Sequence, residues 1–272
     1  MENIEFFKMH GLGNDFIIID KRVNKIDISK KLINRLSDRK TGAGCDQLIT
    51  INKSLSKKYD AYIKIFNPNG DIAEACGNGT RCVAKLLFNE KKSKKLKIKS
   101  DAGILQAKIV DKNNISVNLG KLSVNWKKIP LAKKIDTLNV PINIKGFSLG
   151  VAVNVGNPHI VFIGKNIDKV NLSSLGPKIE NNKLFPNKTN VEIIEIINKK
   201  KIKMRVWERG AGITLACGSG ACAAVYAGIL KKLLANKVEV KLEKGSLFID
   251  IDKQNAIMTG PAELSYKGSI KL

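Results

Sequence analysis

Short apolar or alternating runs, bounded by glycine, asparagine, aspartate and proline, recur along the chain. Their period of two predicts strands over Phe16–Asp20, Tyr62–Phe66, Ile104–Val110, Ile115–Leu119, His159–Ile163, Val191–Ile197, Ile202–Glu208, Val238–Leu242 and Leu247–Ile251. Asp111–Asn114 and Glu243–Ser246 read as hairpin turns. Two stretches follow a helical period instead. Cys222, Val225, Tyr226, Ile229, Leu230 and Leu233 fall on one such pattern, and Cys82, Val83, Leu86 and Leu87, within Thr80–Phe88, fall on another. Residues 221–230 carry no charge, so that helix is expected to be buried on most sides. No apolar run approaches the roughly 18 residues of a membrane span, and no basic start followed by an apolar stretch marks a secretory signal.

Each helix-like run follows a glycine-rich loop opened by a cysteine: Cys76-Gly77-Asn78-Gly79-Thr80-Arg81-Cys82 and Cys217-Gly218-Ser219-Gly220-Ala221-Cys222. The two loops belong to a longer correspondence. Gly13-Asn14 matches Gly156-Asn157, Gln47 matches Asn190, Asn67 matches Glu208, Gly103 matches Gly245 and Asp111-Lys112 matches Asp252-Lys253, all in order and offset by 141–143 residues. The period is too long for a solenoid and indicates two homologous halves. They divide near Gly120, giving 1–120 and 121–263, before the proline-punctuated stretch Ser123–Pro141. The expected fold is α+β: two pseudo-symmetric halves, each a curved, mostly antiparallel sheet around one largely buried helix. A duplicated chain often builds one site from equivalent residues of both halves.

Cys76 and Cys217 are placed at the starts of those helices. Gly77, Gly79, Gly218 and Gly220 let backbone approach a ligand and expose N–H groups. The positive helix end favours an anion, either a ligand carboxylate or the thiolate itself, so both thiols are expected to be acidic enough to act as bases near neutral pH. A lone buried cysteine is more often inert packing, and that reading is applied to Cys82 and Cys222 inside the helices. For Cys45 both readings stay open. Five cysteines fit no disulfide framework, so a reducing cytoplasm is expected. Cys-x5-Cys and Cys-x4-Cys are poor zinc spacings in a chain with two histidines, so no metal site is expected.

His10, before Gly13-Asn14, is read equally as a structural group or a catalytic one. His159 would lie on the same side of its strand as Asn157. Glu208-Arg209 reads either as an exposed ion pair or, through the guanidinium fork, as a carboxylate-binding group.

Charge changes the picture little. The chain has 272 residues and a formal net charge of +24, but only six of its 48 basic residues are arginine. Lysine runs such as Lys91–Lys99 and Lys199–Lys203 punctuate apolar strands. A nucleic-acid binder clusters its charge and uses arginine for phosphate and base geometry, so a solvated lysine surface is the better reading. A thiol-transfer protein would carry Cys-x-x-Cys, which is missing here.

The segments KMHGLGNDF (8–16), GAGCDQL (42–48), ACGNGTRC (75–82), VGNPH (155–159), TNVE (189–192) and WERGAGITLACGSGACA (207–223) together resemble the diaminopimelate epimerase family, in order and spacing, over essentially the whole chain. The resemblance implies two α/β halves closing over a central cleft, with the C-terminal strand (264–272) returning to the first half. It implies interconversion of LL- and meso-2,6-diaminopimelate without pyridoxal or any other cofactor, in lysine and peptidoglycan precursor synthesis. Carried over by position, Cys76 and Cys217 correspond to the acid/base pair. Asn14, Gln47, Asn67, Gly77, Asn78, Asn157, Asn190, Glu208, Arg209, Gly218 and Ser219 correspond to the substrate-binding set. His159 and Glu208 correspond to groups that tune the cysteines. The resemblance also implies a homodimer with Tyr266 near the interface. A proline-type racemase on the same fold would share the cysteine pair, but Asn14 and Glu208-Arg209 fit diaminopimelate better. The chain departs from the family at Asn67-Pro68-Asn69-Gly70-Asp71-Ile72 and at Cys45.

Overall fold

The computed structural model describes residues 3–73 and 76–271; Ala75 of the first loop motif, and residues 1, 2, 74 and 272 of the expected first half, lie outside the described residues. The chain runs β1 (Asn3–Gly11), β2 (Asn14–Asp20), α1 (Lys30–Ser37), β3 (Gln47–Asn52), β4 (Ala61–Phe66), β5 (Ile72–Ala73), α2 (Gly77–Lys91), β6 (Lys95–Ser100), β7 (Gly103–Ile109) and β8 (Asn114–Lys121). It continues through β9 (Val151–Asn154), β10 (Pro158–Ile163), α3 (Leu172–Glu180), β11 (Asn190–Asn198), β12 (Lys201–Glu208), β13 (Gly212–Ile213), α4 (Gly218–Leu230), β14 (Lys237–Leu242), β15 (Gly245–Asp252), β16 (Asn255–Pro261) and β17 (Glu263–Lys271). Residues up to Val117, with the segment from Gly260 onward, form one compact unit, and Asn118–Thr259 form a second.

The units repeat one another strand for strand. In the first, β1–β2 and β3–β4 are antiparallel, β2–β3 and β4–β6 parallel, and β6–β7 antiparallel. In the second the same sequence of ladders is made by β9–β10, β11–β12, β10–β11, β12–β14 and β14–β15. Register repeats too: Phe16 lies opposite Gln47, and His159 opposite Asn190.

Because strand side chains alternate between faces, each central strand serves two helices. In the first unit Ile17, Ile19 and Leu48 pack with Ile33 and Leu36 of α1. Phe16 and Ile49 point the other way, against Gly79 of α2. In the second unit Ile160, Phe162, Val191 and Ile193 pack with Leu172 and Ile179 of α3. The opposite face belongs to α4, whose residues Ala221–Gly228 are all buried. Burying an aliphatic side chain such as Val225 contributes roughly 1.5–3 kcal/mol.

Among the described residues each unit also carries a second α-helix, α1 or α3, beside the buried helix that follows its cysteine loop. Leu32, Ile33 and Leu36 of α1 share one helical face, but eight residues give too short a pattern to stand out, and α3 is interrupted by Gly176 and Pro177. Side-chain caps hold them instead, Ser29 accepting from the Leu32 amide and Asn171 from the Ser174 amide. The lysine-rich run before Ser100 is itself a strand: β6 buries Leu96 and Ile98 and points most of its lysines to solvent. Within the first unit β17 returns antiparallel to β1, with Phe7 opposite Lys267. Buried Arg81 ties α2 to the same segment, its Nε donating to the Pro261 carbonyl at 3.1 Å.

Candidate active site

Both loop cysteines are helix N-caps. Cys76 has extended backbone, and its Sγ accepts the Gly79 N–H at 3.4 Å; Cys217 does the same with the Gly220 N–H at 3.4 Å. The sulfur replaces the oxygen of an ordinary cap and takes up one of the amides that a helix start leaves unpaired. Cys76 is half-buried and Cys217 buried. Cys82 and Cys222 lie fully buried within the helices, in keeping with packing roles. Cys45 is also buried, beside the Ser37 hydroxyl at 3.4 Å, and burial raises its thiol pKa, so it too packs.

The first unit groups its asparagines and glutamine into two linked pairs. Asn78 donates to Asn14 Oδ1 at 3.0 Å, and Gln47 donates to Asn67 Oδ1 at 3.0 Å. Asp46, which sequence reasoning missed, accepts from Asn14 Nδ2 at 2.9 Å and from Arg39 at 2.7 Å. Asp15 completes that cluster. Although burial opposes its charge, hydrogen bonds and attraction from Arg39 and Lys8 take its carboxyl down to about 2. The divergent loop after Asn67 closes as a turn, with the Asn67 N–H donating to the Asp71 carbonyl at 2.8 Å and Gly70 at φ +83°. His10 faces Glu263 at 3.9 Å across the β1–β17 ladder.

In the second unit Asn190 is buried. Its Nδ2 donates to the Pro158 carbonyl at 2.8 Å, and its Oδ1 accepts the Arg209 N–H at 2.9 Å. Arg209 itself is exposed, its guanidinium donating to the Asn187 carbonyl at 3.2 Å. Asn157 and His159 do share a side, with Asn157 Oδ1 2.8 Å from His159 Nε2. The other ring nitrogen, Nδ1, lies 2.7 Å from Glu192 Oε1, and both side chains are inaccessible to solvent. Glu192 was part of a recognised motif but had no role assigned to it. Strand alternation from Asn190 places it on the same face, a signal available in the sequence.

The electrostatics of Cys217 reverse the expectation of an acidic thiol. Loss of water on burial pushes its pKa well above the ordinary 9.0, and the nearby carboxyls of Glu208 and Glu192 push it further. The Ser219 hydroxyl and the Gly220 N–H act the other way without prevailing. Burial likewise raises the Glu208 carboxyl, which accepts from the Thr214 hydroxyl. A helix N-terminus lowers a thiol pKa only where water or cations share the task.

Tyr266 is about half exposed, with its ring edge-to-face against Phe6 at 6.1 Å. Among the described residues no helix is long and apolar enough to cross a membrane.

The fold is shared with enzymes of distant sequence. A probable proline racemase from Agrobacterium radiobacter superposes with a TM-score of 0.72 at 14% identity, covering 99% of this chain and 93% of that one. A hydroxyproline epimerase from Agrobacterium vitis gives 0.70 at 12%, with coverage of 99% and 93%. Sequence is more specific. A diaminopimelate epimerase from Pelagibacter ubique is 44% identical over 99% of this chain and 100% of its own length. One from Zymomonas mobilis is 42% identical over 97% and 96%. The family model for diaminopimelate epimerase matches residues 6–124 and 151–265, which takes in both cysteine loops. The chain therefore belongs to the diaminopimelate epimerase family, and with it to the amino-acid racemases and epimerases.

Proposed function

We propose that this chain interconverts LL- and meso-2,6-diaminopimelate, with Cys76 and Cys217 as the two acid/base groups. The observation that carries the reading is the equivalence of the two sulfurs, each an N-cap bonded at 3.4 Å to the amide three residues on. Inverting a carbon needs a proton to leave one face and another to arrive on the opposite face. One thiolate takes the α-proton and becomes a thiol; the other thiol gives its proton to the carbanion and becomes a thiolate. Burial and the carboxyls of Glu208 and Glu192 raise the Cys217 thiol, which favours its protonated form.

Carbanion charge spreads onto the α-carboxylate, which the loop amides around Gly77, Asn78, Gly218 and Ser219 would bind as it grows. Asn14, Gln47, Asn67, Asn157, Asn190, Glu208 and Arg209 supply donors and acceptors for the ammonium and carboxylate groups of the substrate. His159 and Glu208 tune the cysteines. No cofactor is needed, because both proton transfers use side chains of the protein. The reaction serves lysine and peptidoglycan precursor synthesis in the cytoplasm. The working form is a homodimer, with Tyr266 and the exposed β17 beside the interface; sedimentation at micromolar concentration should give the dimer mass.

The deciding experiment incubates purified protein with each stereoisomer in deuterium oxide and follows the α-carbon. Exchange with inversion at that carbon is expected, without added cofactor. Diaminopimelate left undeuterated, with proline exchanged instead, would overturn the substrate assignment.

A further inference from the structure

The second unit buries a histidine and a carboxylate at a place where the first unit is apolar. His159 corresponds by the repeat to Phe16, and Glu192 to Ile49. The equivalence is spatial as well. A Cβ built on Gly79 would lie 2.5 Å from Ile49, 3.3 Å from Phe16 and 3.6 Å from Cys76 Sγ. A Cβ built on Gly220 would lie 2.7 Å from Glu192 Oε1 and 3.3 Å from Cys217 Sγ. Glu192 thus occupies the floor of the Cys217 loop, and glycine at 220 leaves room for it.

A buried carboxylate is costly unless it is paired. Among the described residues Glu192 has one hydrogen-bond partner, His159 Nδ1, while its second oxygen, Oε2, is buried without one. Both ring nitrogens thus face oxygen, Nδ1 the Glu192 Oε1 and Nε2 the Asn157 Oδ1, and the two contacts hold the imidazole in one orientation.

We propose that Glu192 is a positioning residue: it fixes the orientation of His159, and it gives the second cysteine loop a carboxyl floor that the first loop lacks. This rests on the epimerase reading only for its consequence in turnover; the placement itself can be tested on the unliganded protein. The ionisable groups around Cys217 are Glu208 on β12 and Glu192 on β11, and His159 on β10 faces both carboxylates.

With two histidines in the chain, ¹⁵N-labelled imidazole spectra resolve His159 directly. In Glu192→Gln a carboxamide replaces the carboxyl 2.7 Å from Nδ1, so the His159 ring nitrogen shifts should move, Nδ1 the most. Peptide-resolved alkylation across pH should show the Cys217 midpoint falling by about one unit in Glu192→Gln, a tenfold gain in thiolate at fixed pH, with Cys76 unmoved. Glu192→Asp keeps the charge but draws it back from the ring, so it should alter the His159 spectrum while holding the Cys217 midpoint. It also covers the case in which the Gln variant does not fold. Turnover of Glu192→Gln should fall at least tenfold in kcat with KM little changed. An unchanged His159 spectrum, or Cys76 and Cys217 midpoints moving together, would overturn the proposal. Failure to epimerise diaminopimelate with the spectral and alkylation results intact would sink the substrate reading alone.

Discussion

Beneath Cys76 the sheet presents Phe16 and Ile49; beneath Cys217 the same two register positions present His159 and Glu192. Backbone, ladders and caps repeat between the units, and the chemistry of the floor does not. The repeat thus fixes where each sulfur stands, through a cap that any strand–loop–helix of this geometry supplies. What raises the Cys217 thiol is first its burial and then the carboxyls of Glu208 and Glu192, at positions where the repeat carries Asn67 and Ile49 in the first unit. Such inequality suits an epimerisation, whose two stereoisomers differ and need not meet equal acids and bases.

The sharpest way to break the comparison is to remove one sulfur at a time. If the two thiols divide the proton transfers as proposed, Cys76→Ala and Cys217→Ala should each lower turnover by about a thousandfold or more. Cys82→Ala and Cys222→Ala should keep the chemistry and lose about 1–2 kcal/mol of stability in urea titrations. An active Cys76→Ala protein would mean that the units are equivalent in shape only.

Exchanging the floors comes next. Ile49→Glu buries a carboxylate in an apolar site and should cost roughly 3–5 kcal/mol. Glu192→Ile should cost less, about 1–3 kcal/mol, because it removes a buried carboxyl and leaves His159 short of one hydrogen bond. Chemical denaturation of both variants would reveal the order, and equal losses would show that the two floors are interchangeable.

The glycines above the floors sharpen the contrast further. An alanine at 79 meets the tip of Ile49, which can rotate away. One at 220 meets an oxygen of Glu192 held by His159. Gly220→Ala is expected to be the more damaging, by about 1–2 kcal/mol in thermal or urea unfolding.

The smallest effect is in alkali. Burial holds the Cys82 thiol up at about 12 and keeps Cys217 well above its ordinary 9.0. Below pH 9 both thiols are protonated, folded or unfolded, and their contribution is fully present. Above pH 9 the unfolded chain sheds protons that the folded one retains, so stability falls by about 1 kcal/mol per thiol at pH 10. Cys217→Ala and Cys82→Ala should each flatten the decline of Tm between pH 8 and 10.

The sequence made the duplicated order, both cysteine-capped helices and most of the central strands legible, because glycine, cysteine and apolar periodicity are local signals. α1 and α3 were not, since their helicity depends on caps and on the sheet face they cover. Of the candidate site, Asn157 beside His159 followed from strand alternation. The raised Cys217 thiol did not, because it depends on burial and on the approach of Glu208 and Glu192 in three dimensions. Local charge at a helix end predicted the opposite direction. Asp46 escaped notice for the same reason: its partners Asn14 and Arg39 are brought to it from elsewhere in the chain.

The return of β17 to β1 has a consequence for biosynthesis. The first unit opens the chain, yet the strand that covers its β1 edge, Glu263–Lys271, follows the whole of the second unit. The second unit is continuous, whereas the first has an open strand edge until the last residues are made. A released chain truncated before Glu263 should therefore hold a protease-resistant later unit and a protease-sensitive earlier one, so that the half made first is the half completed last.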